Sequence, residues 1–344
     1  MKIAIITDAW YPQTNGVVTT LNRTGECLRQ LGNEVLFVTP KDFRTVPLPS
    51  YPEIRLSLFP GTKVTRMLDT FGPEAIHIAT EGPLGNAARK YCRRRQLKFT
   101  TAYHTQFPQY VRLRAPIPIS FSYAFLRRFH RQAQRTMVPT ESLRQELLKW
   151  GFENVVIWSR GVDIDLFKPQ DKAFLQAPRP ISMFVGRVAV EKNIEAFLSL
   201  DIPGTKFVVG DGPDLHALCD KYPKVKFVGF KYGEELARHI AAADVFVFPS
   251  RTDTFGLVML EAMACGVPVA AYPVTGPIDV VQAGVTGVLD EDLGKAVTEA
   301  LKLEADDARR YAEQHSWMAA TRQFYSHLEF NPRGALAKAI DEPA

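Results

Sequence analysis

Short apolar runs alternate with amphipathic helical patterns along almost the whole of this 344-residue sequence. Adjacent parallel strands need a crossover connection, usually a helix, so this alternation predicts an α/β fold built on parallel sheets. Helical patterns are found at residues 16–31, 84–96 and 141–150. Strands are predicted at residues 2–7, 34–39, 54–58, 75–79, 98–103, 136–138, 155–157, 181–185, 206–209, 225–228, 245–248 and 267–271.

The chain is long enough for two such domains, since a domain usually has roughly 150 residues. Glycine and proline interrupt both periodicities at residues 159–169 and 176–180, which indicates a join there. The predicted divisions are an N-terminal domain at 1–165, a C-terminal domain at 166–315, an aromatic helix at 316–330 that packs back on the N-terminal domain, and a frayed tail at 331–344.

The composition is that of an ordinary globular protein, with 46% hydrophobic and 23% charged residues. Its four cysteines are far apart and lack the spacing of metal ligands, so we expect a reduced cytoplasmic setting and no bound metal. No run approaches the roughly 18 to 20 apolar residues of a membrane-spanning helix, so the expected membrane contact is peripheral.

Basic residues are concentrated in the first half of the chain. Residues 1–165 hold 23 Lys and Arg against 13 Asp and Glu, whereas the remaining residues hold 19 against 24. Between Glu81 and Glu141 there are twelve basic residues and no acidic one. Such a charge distribution indicates an anionic partner.

One basic segment, residues 117–131, also has aromatic residues at helical spacing. A helix of this type suits the surface of an anionic membrane, because apolar burial and attraction to phosphate add together. The same pattern fits a helix that buries its phenylalanines in the core and leaves its arginines in water. Nucleic acid is disfavoured, because no recognisable binding motif accompanies the charge. The residues of the candidate membrane or acceptor face are Phe121, Phe125, Arg127, Arg128, Phe129 and Arg131.

Turns after predicted strands carry the candidate chemistry, because ligands of doubly wound folds bind at the carboxyl ends of strands. Gly16 opens a helix after the first strand, where a diphosphate can approach backbone amides. The GxGxxG spacing is absent there, which disfavours a nicotinamide-dependent oxidoreductase. After the strand at 181–185, Arg187 and Lys192 are close enough in sequence to hold one diphosphate and stabilise it as a leaving group. Two ordinary surface cations are the alternative.

The turn after the strand at 245–248 is the most specific of these. Asp253 lies in the loop, and Gly256 opens a helix whose amides can bind an anion. Glu261 lies within that otherwise apolar helix. A carboxylate in apolar surroundings is costly unless it has a partner, and sugar hydroxyls are suitable partners.

Together these motifs resemble glycosyltransferase family 4. The resemblance implies an enzyme, a hexosyltransferase, with the GT-B architecture of two Rossmann-like doubly wound domains facing a central cleft. In that family two acidic residues separated by seven others bind the sugar donor. Here the pair is Asp253 and Glu261, with Asp where the family usually has Glu. The resemblance covers nearly the whole chain and rests on Asn15, Gly16, Gly186, Arg187, Lys192, Asn193, Gly210, Asp211, Gly212, Pro213, Phe255, Gly256, Leu260, Glu261, Ala262 and Met263.

The same resemblance implies roles for individual residues. Arg187 and Lys192 would hold the diphosphate, and the backbone near Phe230 would meet the nucleobase. His104, after a first-domain strand, matches the family's active-site histidine, although a hydrogen-bonded core histidine is the alternative. The implied catalytic residues are His104, Asp253, Arg187 and Lys192, and the implied donor-binding residues are Gly16, Arg187, Lys192, Phe230, Asp253, Thr254, Phe255, Gly256, Leu257 and Glu261.

The family transfers sugar with retention of anomeric configuration and generally without a bound metal, so no cofactor is expected. Residues 103–107 and 250–256 look most like bacterial glycolipid enzymes: glucuronosyl, glucosyl and sulfoquinovosyl diacylglycerol synthases, and phosphatidylinositol mannosyltransferases. The predicted donor is UDP-glucuronate or UDP-glucose, and the predicted acceptor is diacylglycerol at the inner face of the cell membrane. A GDP-mannose-dependent mannosyltransferase acting on a lipid or another glycan is one alternative. A non-catalytic basic module that binds membrane or nucleic acid is another.

Overall fold

The computed structural model describes residues 1–13, 15–48, 51–114 and 118–332. The strands are β1 (Lys2–Ile6), β2 (Glu34–Val38), β3 (Thr45–Leu48), β4 (Tyr51–Ser57), β5 (Ala75–Ile78), β6 (Thr100–Ala102), β7 (Arg135–Val138), β8 (Val155–Ile157), β9 (Ile181–Val185), β10 (Thr205–Val209), β11 (Lys226–Phe227), β12 (Val245–Phe248), β13 (Val269–Ala271) and β14 (Gly287–Leu289). The helices are α1 (Gly16–Gln30), α2 (Gly61–Phe71), α3 (Pro83–Arg94), α4 (Phe107–Arg114), α5 (Ile119–His130), α6 (Glu141–Lys149), α7 (Glu195–Leu198), α8 (Leu215–Lys221), α9 (Gly233–Ala241), α10 (Leu257–Ala264), α11 (Pro277–Val280), α12 (Leu293–Ala300), α13 (Ala305–Glu313) and α14 (Trp317–His327).

The chain forms two compact units. The first contains residues 1–112, 118–159 and 317–332, and the second contains residues 113–114 and 160–316. In the first unit six parallel strands follow the order β2-β1-β5-β6-β7-β8, and in the second six follow the order β11-β10-β9-β12-β13-β14. The predicted α/β class with two doubly wound parallel sheets is therefore confirmed.

Each sheet has one point where the strand order reverses. In the first unit the chain runs from β1 to β2 on one side and returns on the other side of β1 as β5. In the second unit it runs from β9 through β10 to β11 and returns as β12. Loops on either side of such a point diverge and leave a crevice at the carboxyl ends of the strands. The ends of β1 and β5, and of β9 and β12, are therefore the expected ligand sites of the two units.

Buried apolar residues cover both faces of each sheet, as parallel strands require. In the first unit Phe324 of α14 is fully buried against residues of β1 and α1, including Ile5 and Leu28. The C-terminal helix is therefore part of the core of the first unit.

The structure differs from the sequence prediction at three places. The strand predicted at 54–58 lies in an antiparallel hairpin, β3 with β4, and not in the parallel sheet. Strands β3 and β14 were not predicted, because a proline in β3 and a glycine at the start of β14 weaken their strand pattern. The frayed tail was predicted to begin at Asn331, but this residue is buried and its side chain pairs with the backbone of Lys98 at 2.8 and 3.0 Å. Residues 333–344 of the predicted tail lie outside the described residues.

Candidate active site

The loops after β9 and β12 in the second unit are fastened together at the reversal point of the sheet. Asn193 Nδ2 donates to the carbonyl of Pro249 at 3.0 Å, and Thr252 Oγ1 donates to the carbonyl of Glu191 at 3.1 Å. Asn193 has a left-handed backbone (φ 50°), a conformation that asparagine tolerates better than most residues. These contacts hold two distant stretches of sequence in one rigid site.

Lys192 and Asp253 meet within this site. Lys192 Nζ lies 2.6 Å from Asp253 Oδ1, and the two side chains are 21% and 14% exposed. The attraction between two charges that are largely withdrawn from water is stronger than that within a surface ion pair. The structure thus brings together one predicted diphosphate-binding residue and one predicted sugar-binding residue that are 61 positions apart.

Arg187 is half-buried and lies two residues after the end of β9, so it leaves the same edge of the sheet. The amide of the next residue, Val188, donates to the carbonyl of Asp211 at 2.9 Å. This bond fixes the Arg187 loop against the turn after β10. The guanidinium is thereby carried by a rigid backbone at the crevice.

Helix α10 begins at this edge with a glycine at its N-cap. Gly256 has φ +81°, a conformation that L side chains rarely adopt, and a Cβ there would lie 2.8 Å from both Phe248 and Met259. Because glycine has no side-chain oxygen, the N-cap residue Gly256 itself does not cap the first-turn amides of α10. These amides, at the positive end of the helix, are suited to bind an anionic ligand.

The other residues predicted in this loop differ in how far they are exposed to solvent. Phe255 is buried and anchors the loop in the core. Thr254, Leu257 and Glu261 are half-buried on or beside α10. These three side chains thus remain reachable from solvent.

Sequence reasoning missed Gly276, whose backbone packs closely against the backbone of the Asp253 loop. It precedes α11 with φ +95°, and a Cβ on it would lie 3.1 Å from the carbonyl oxygen of Asp253. A glycine between a strand and a short helix was the available signal.

An aromatic pair lies just after β11. Phe230 and Tyr232 are 49% and 75% exposed, and their rings stack with centroids 6.3 Å apart. The sequence prediction concerned only the backbone near Phe230, so Tyr232 was missed. The pair presents an exposed aromatic surface at the edge where the nucleobase was expected.

In the first unit, Gly16 opens α1 as predicted and is solvent-exposed. Asn15 caps this helix, and its Oδ1 accepts from the amides of Val17 at 3.0 Å and Val18 at 3.1 Å. The side chain of Asn15 therefore already binds two of the amides that were expected to face a diphosphate.

His104 follows β6 and is half-buried, with its ring edge-on to the fully buried Trp158 at a centroid distance of 5.6 Å. It lies at the carboxyl end of the first sheet. The histidine is therefore neither fully buried nor on a freely exposed loop.

The predicted membrane face on α5 is only partly exposed. Phe121 and Phe125 are 71% and 57% exposed, but Phe129 is 2% exposed and packs in the core, so its assignment to this face was wrong. Arg127, Arg128 and Arg131 are exposed. The exposed surface formed by Phe121, Phe125, Arg127, Arg128 and Arg131 is called the α5 face below.

Neighbouring arginines extend the charge of the α5 face. The pKa of the Arg89 guanidinium is lowered by partial burial and then by repulsion from Arg93 and Arg128. Arg127 Nη1 donates to the carbonyl of Trp150 at 2.8 Å, so this arginine also fastens the end of α6. Among the helices described, none is both long and apolar enough to cross a bilayer.

Comparisons with known proteins agree with this geometry. A family model described as Glycosyltransferase Family 4 matches residues 14–166, and one described as Glycosyl transferases group 1 matches residues 179–306. The chain is 30% identical over 364 residues to a GDP-mannose-dependent alpha-mannosyltransferase of Mycobacterium tuberculosis, with 96% of each chain covered. The chain belongs to glycosyltransferase family 4. It is a glycosyltransferase, and the predicted enzyme class is confirmed.

This family 4 glycosyltransferase is also similar to the alpha-monoglucosyldiacylglycerol synthase of Acholeplasma laidlawii, with 26% identity over 318 residues that cover 78% of this chain and 79% of the relative. Among solved structures it is similar to the sucrose-phosphate synthase of Thermosynechococcus elongatus. That match has a TM-score of 0.77 and 23% identity, and it covers 94% of this chain and 97% of the other. The fold is GT-B, as predicted.

Proposed function

We propose that this glycosyltransferase moves a hexosyl or hexuronosyl group from a nucleoside diphosphate sugar to a hydroxyl of a lipid at an anionic membrane surface. The observation that carries the donor half of this proposal is the Lys192–Asp253 pair at 2.6 Å, at the reversal point of the second sheet and beside the glycine that opens α10. This arrangement offers positive charge for phosphate next to a carboxylate for sugar hydroxyls.

On the donor side, Arg187 and Lys192 bind the diphosphate, and the amides at Phe255, Gly256 and Leu257 add the positive end of α10. The exposed aromatic pair of Phe230 and Tyr232 lies where the base stacks. These fixed charges act where negative charge develops on the leaving diphosphate, so we expect transfer without a bound metal.

The carboxylates act on the sugar and the ribose. Asp253, held in place by Lys192, accepts hydrogen bonds from the transferred sugar, and Glu261 accepts them from the ribose. Because Asp253 is one methylene shorter than the family's usual Glu, the sugar has to lie closer to the loop.

The proposed reaction retains the anomeric configuration. The bond from the anomeric carbon to the phosphate oxygen breaks, and the bond to the acceptor oxygen forms on the same face of the sugar. The acceptor proton passes to the departing phosphate oxygen. Catalysis is then mainly positioning and charge stabilisation, with His104 at the carboxyl end of the first sheet as an additional contact to the sugar.

The α5 face supports a lipid acceptor. Two exposed phenylalanines next to arginines combine apolar insertion with attraction to anionic head groups. The Acholeplasma relative is named for synthesis on diacylglycerol, which makes diacylglycerol the first acceptor to test.

Two classes of donor, GDP-sugars and UDP-sugars, are supported by different observations. The Mycobacterium relative, named for GDP-mannose, covers nearly the whole chain and favours GDP-mannose. The likeness of residues 103–107 and 250–256 to glucosyl and glucuronosyl diacylglycerol synthases, together with the Acholeplasma relative, favours UDP-glucose or UDP-glucuronate. The presence of Asp at position 253, where the family usually has Glu, affects contacts to the sugar and not to the base. It therefore does not discriminate between GDP and UDP donors.

The test is incubation of the purified protein with phosphatidylglycerol vesicles containing diacylglycerol and with GDP-mannose, UDP-glucose or UDP-glucuronate separately. Mass spectrometry of the lipid extract is expected to find a diacylglycerol carrying one hexosyl or hexuronosyl group with one of these donors. Release of nucleoside diphosphate without a new lipid would support the donor site and overturn the lipid acceptor. No release from any donor, combined with binding of the vesicles, would favour the non-catalytic membrane module.

A further inference from the structure

The first unit has its own crevice, between the ends of β1 and β5. The backbone there is closely joined, because Ala79 N donates to the carbonyl of Ile6 at 2.8 Å and Asp8 N donates to Thr80 Oγ1 at 2.7 Å. Two carboxylates, Asp8 and Glu81, follow these strands. Negative side chains therefore lie at the ligand crevice of a unit whose sequence is otherwise basic.

The Asp8 carboxylate is used in hydrogen bonds within the first unit. It is buried and accepts from the amides of Leu84 at 2.8 Å and Gly85 at 3.2 Å, and from Thr80 Oγ1 at 2.9 Å. A Cβ at Gly82 would lie 2.4 Å from Asp8 Cγ, so the loop closes directly on this carboxyl group. Burial raises the pKa of Asp8, while the Leu84 and Gly85 amides oppose that rise. Asp8 thus caps α3 and shapes the loop that carries Glu81.

The Glu81 carboxylate contacts a buried histidine and is also partly exposed to solvent. Its Oε1 lies 3.0 Å from Nε2 of His130, which is fully buried, whereas the Glu81 side chain is 26% exposed. His130 Nδ1 lies 2.9 Å from Thr101 Oγ1, which in turn lies 3.1 Å from Thr136 Oγ1. A buried polar network of this kind fixes the orientation of the group at its end.

We propose that Glu81 binds the acceptor hydroxyl, and that His130 is the residue that positions Glu81. The proposal rests on the proposed function, since it assigns the acceptor side of that reaction. A carboxylate repels a diphosphate but accepts a strong hydrogen bond from an alcohol. The ligand chemistry that fits Glu81 is therefore the uncharged hydroxyl of a lipid head group.

The position of His130 links this contact to the membrane. It is the last residue of α5, and the preceding turns of the same helix expose Phe121 and Phe125. One helix therefore carries the proposed lipid-binding surface and, at its end, the side chain that holds Glu81. Lipid docking and hydroxyl orientation depend on the same rigid element.

The test measures donor and acceptor dependence separately in the full-length Glu81→Ala, Glu81→Gln, His130→Ala and His130→Gln variants. With diacylglycerol in phosphatidylglycerol vesicles, kcat/KM for the acceptor is expected to fall about 10- to 100-fold in Glu81→Ala, because a hydrogen bond to a charged group is lost. Glu81→Gln is expected to lose less. His130→Ala lowers the same constant, and His130→Gln, which keeps a hydrogen-bonding amide, restores part of it. The Kd for GDP or UDP, measured by titration calorimetry, is expected to stay within about twofold.

Asp69→Asn is the matched control. Asp69 also anchors a polar network in the first unit, with Tyr91 Oη at 2.8 Å and Arg95 Nη2 at 2.9 Å, but it lies near the C-terminus of α2, away from the crevice. An acceptor defect in Asp69→Asn as large as that in Glu81→Ala would overturn the proposal, as would an equal loss of nucleotide binding in Glu81→Ala.

The outcomes distinguish a failure of the Glu81 assignment from a failure of the lipid acceptor. If wild-type protein transfers sugar to diacylglycerol and Glu81→Ala does so equally well, only the role of Glu81 is overturned. If vesicles with diacylglycerol give no transfer in the wild type, the lipid acceptor is overturned and the role of Glu81 with it.

Discussion

At the scale of single residues, the Lys192–Asp253 pair gives the sharpest prediction. Lys192→Ala removes positive charge where the diphosphate departs, so transition-state stabilisation is expected to fall by about 2 to 4 kcal/mol, or about 30- to 1,000-fold in kcat. Steady-state kinetics with saturating donor checks this. Lys221→Ala, which removes an exposed lysine from α8 of the same unit, is the control. Wild-type turnover in Lys192→Ala would contradict the assignment.

The sequence predicted which residue types this site contains but not how they contact each other. Arg187 and Lys192 were identified because they lie five positions apart after one strand, and Asp253 because it lies in a polar loop before a glycine. The contact between Lys192 and Asp253 depends on β9 and β12 being neighbours, which local pattern does not encode. The support from Gly276 was missed for the same reason, since it comes from a third strand-to-helix loop.

At the scale of elements, α5 shows why a stripe at four-residue spacing is not a single face. Four residues turn an α-helix by about 400°, so each step drifts by about 40°. Phe129 is therefore rotated by about 80° from Phe121, which is enough to move it from solvent into the core. Sequence periodicity predicted the helix, whereas the packing around it decided which phenylalanines are exposed.

The remaining exposed residues give a prediction for membrane binding. Charge reversal of Arg128 and Arg131 together is expected to weaken binding to phosphatidylglycerol vesicles at least about 30-fold, because each basic residue near the surface contributes about 1 kcal/mol. Arg127 is left intact because it bonds the carbonyl of Trp150. Vesicle sedimentation at two salt concentrations measures the effect, and Arg310→Glu, on an exposed position of α13, is the control. Unchanged vesicle binding would mean that the α5 face is ordinary solvent-exposed surface and does not bind membranes.

At the scale of the whole molecule, the alternation of apolar runs and helical patterns was enough to predict two doubly wound sheets. Every strand of the two sheets except β14 was predicted. The clearest were buried parallel strands such as β1, β9 and β12, which are continuous or nearly continuous apolar runs. Strand order could not be predicted, since it depends on pairing between segments far apart in sequence. The order is what creates the two crevices, so Glu81 became a candidate site residue only from the topology, whereas Asp253 was already predicted from its loop.

The return of α14 to the first unit leads to the last prediction. Phe324 is fully buried, with its ring 4.6 Å from that of Trp158 and 4.8 Å from that of His77. Phe324→Ala is expected to lower the free energy of unfolding by about 3 to 5 kcal/mol, because it removes an aromatic ring and leaves a cavity. Urea denaturation followed by tryptophan fluorescence can measure this in the first unit alone, since all four tryptophans lie there. Arg322→Ala, at an exposed position of the same helix, is expected to change the midpoint little. Equal midpoints for wild type and Phe324→Ala would mean that α14 contributes nothing to the stability of the core in which Phe324 is fully buried.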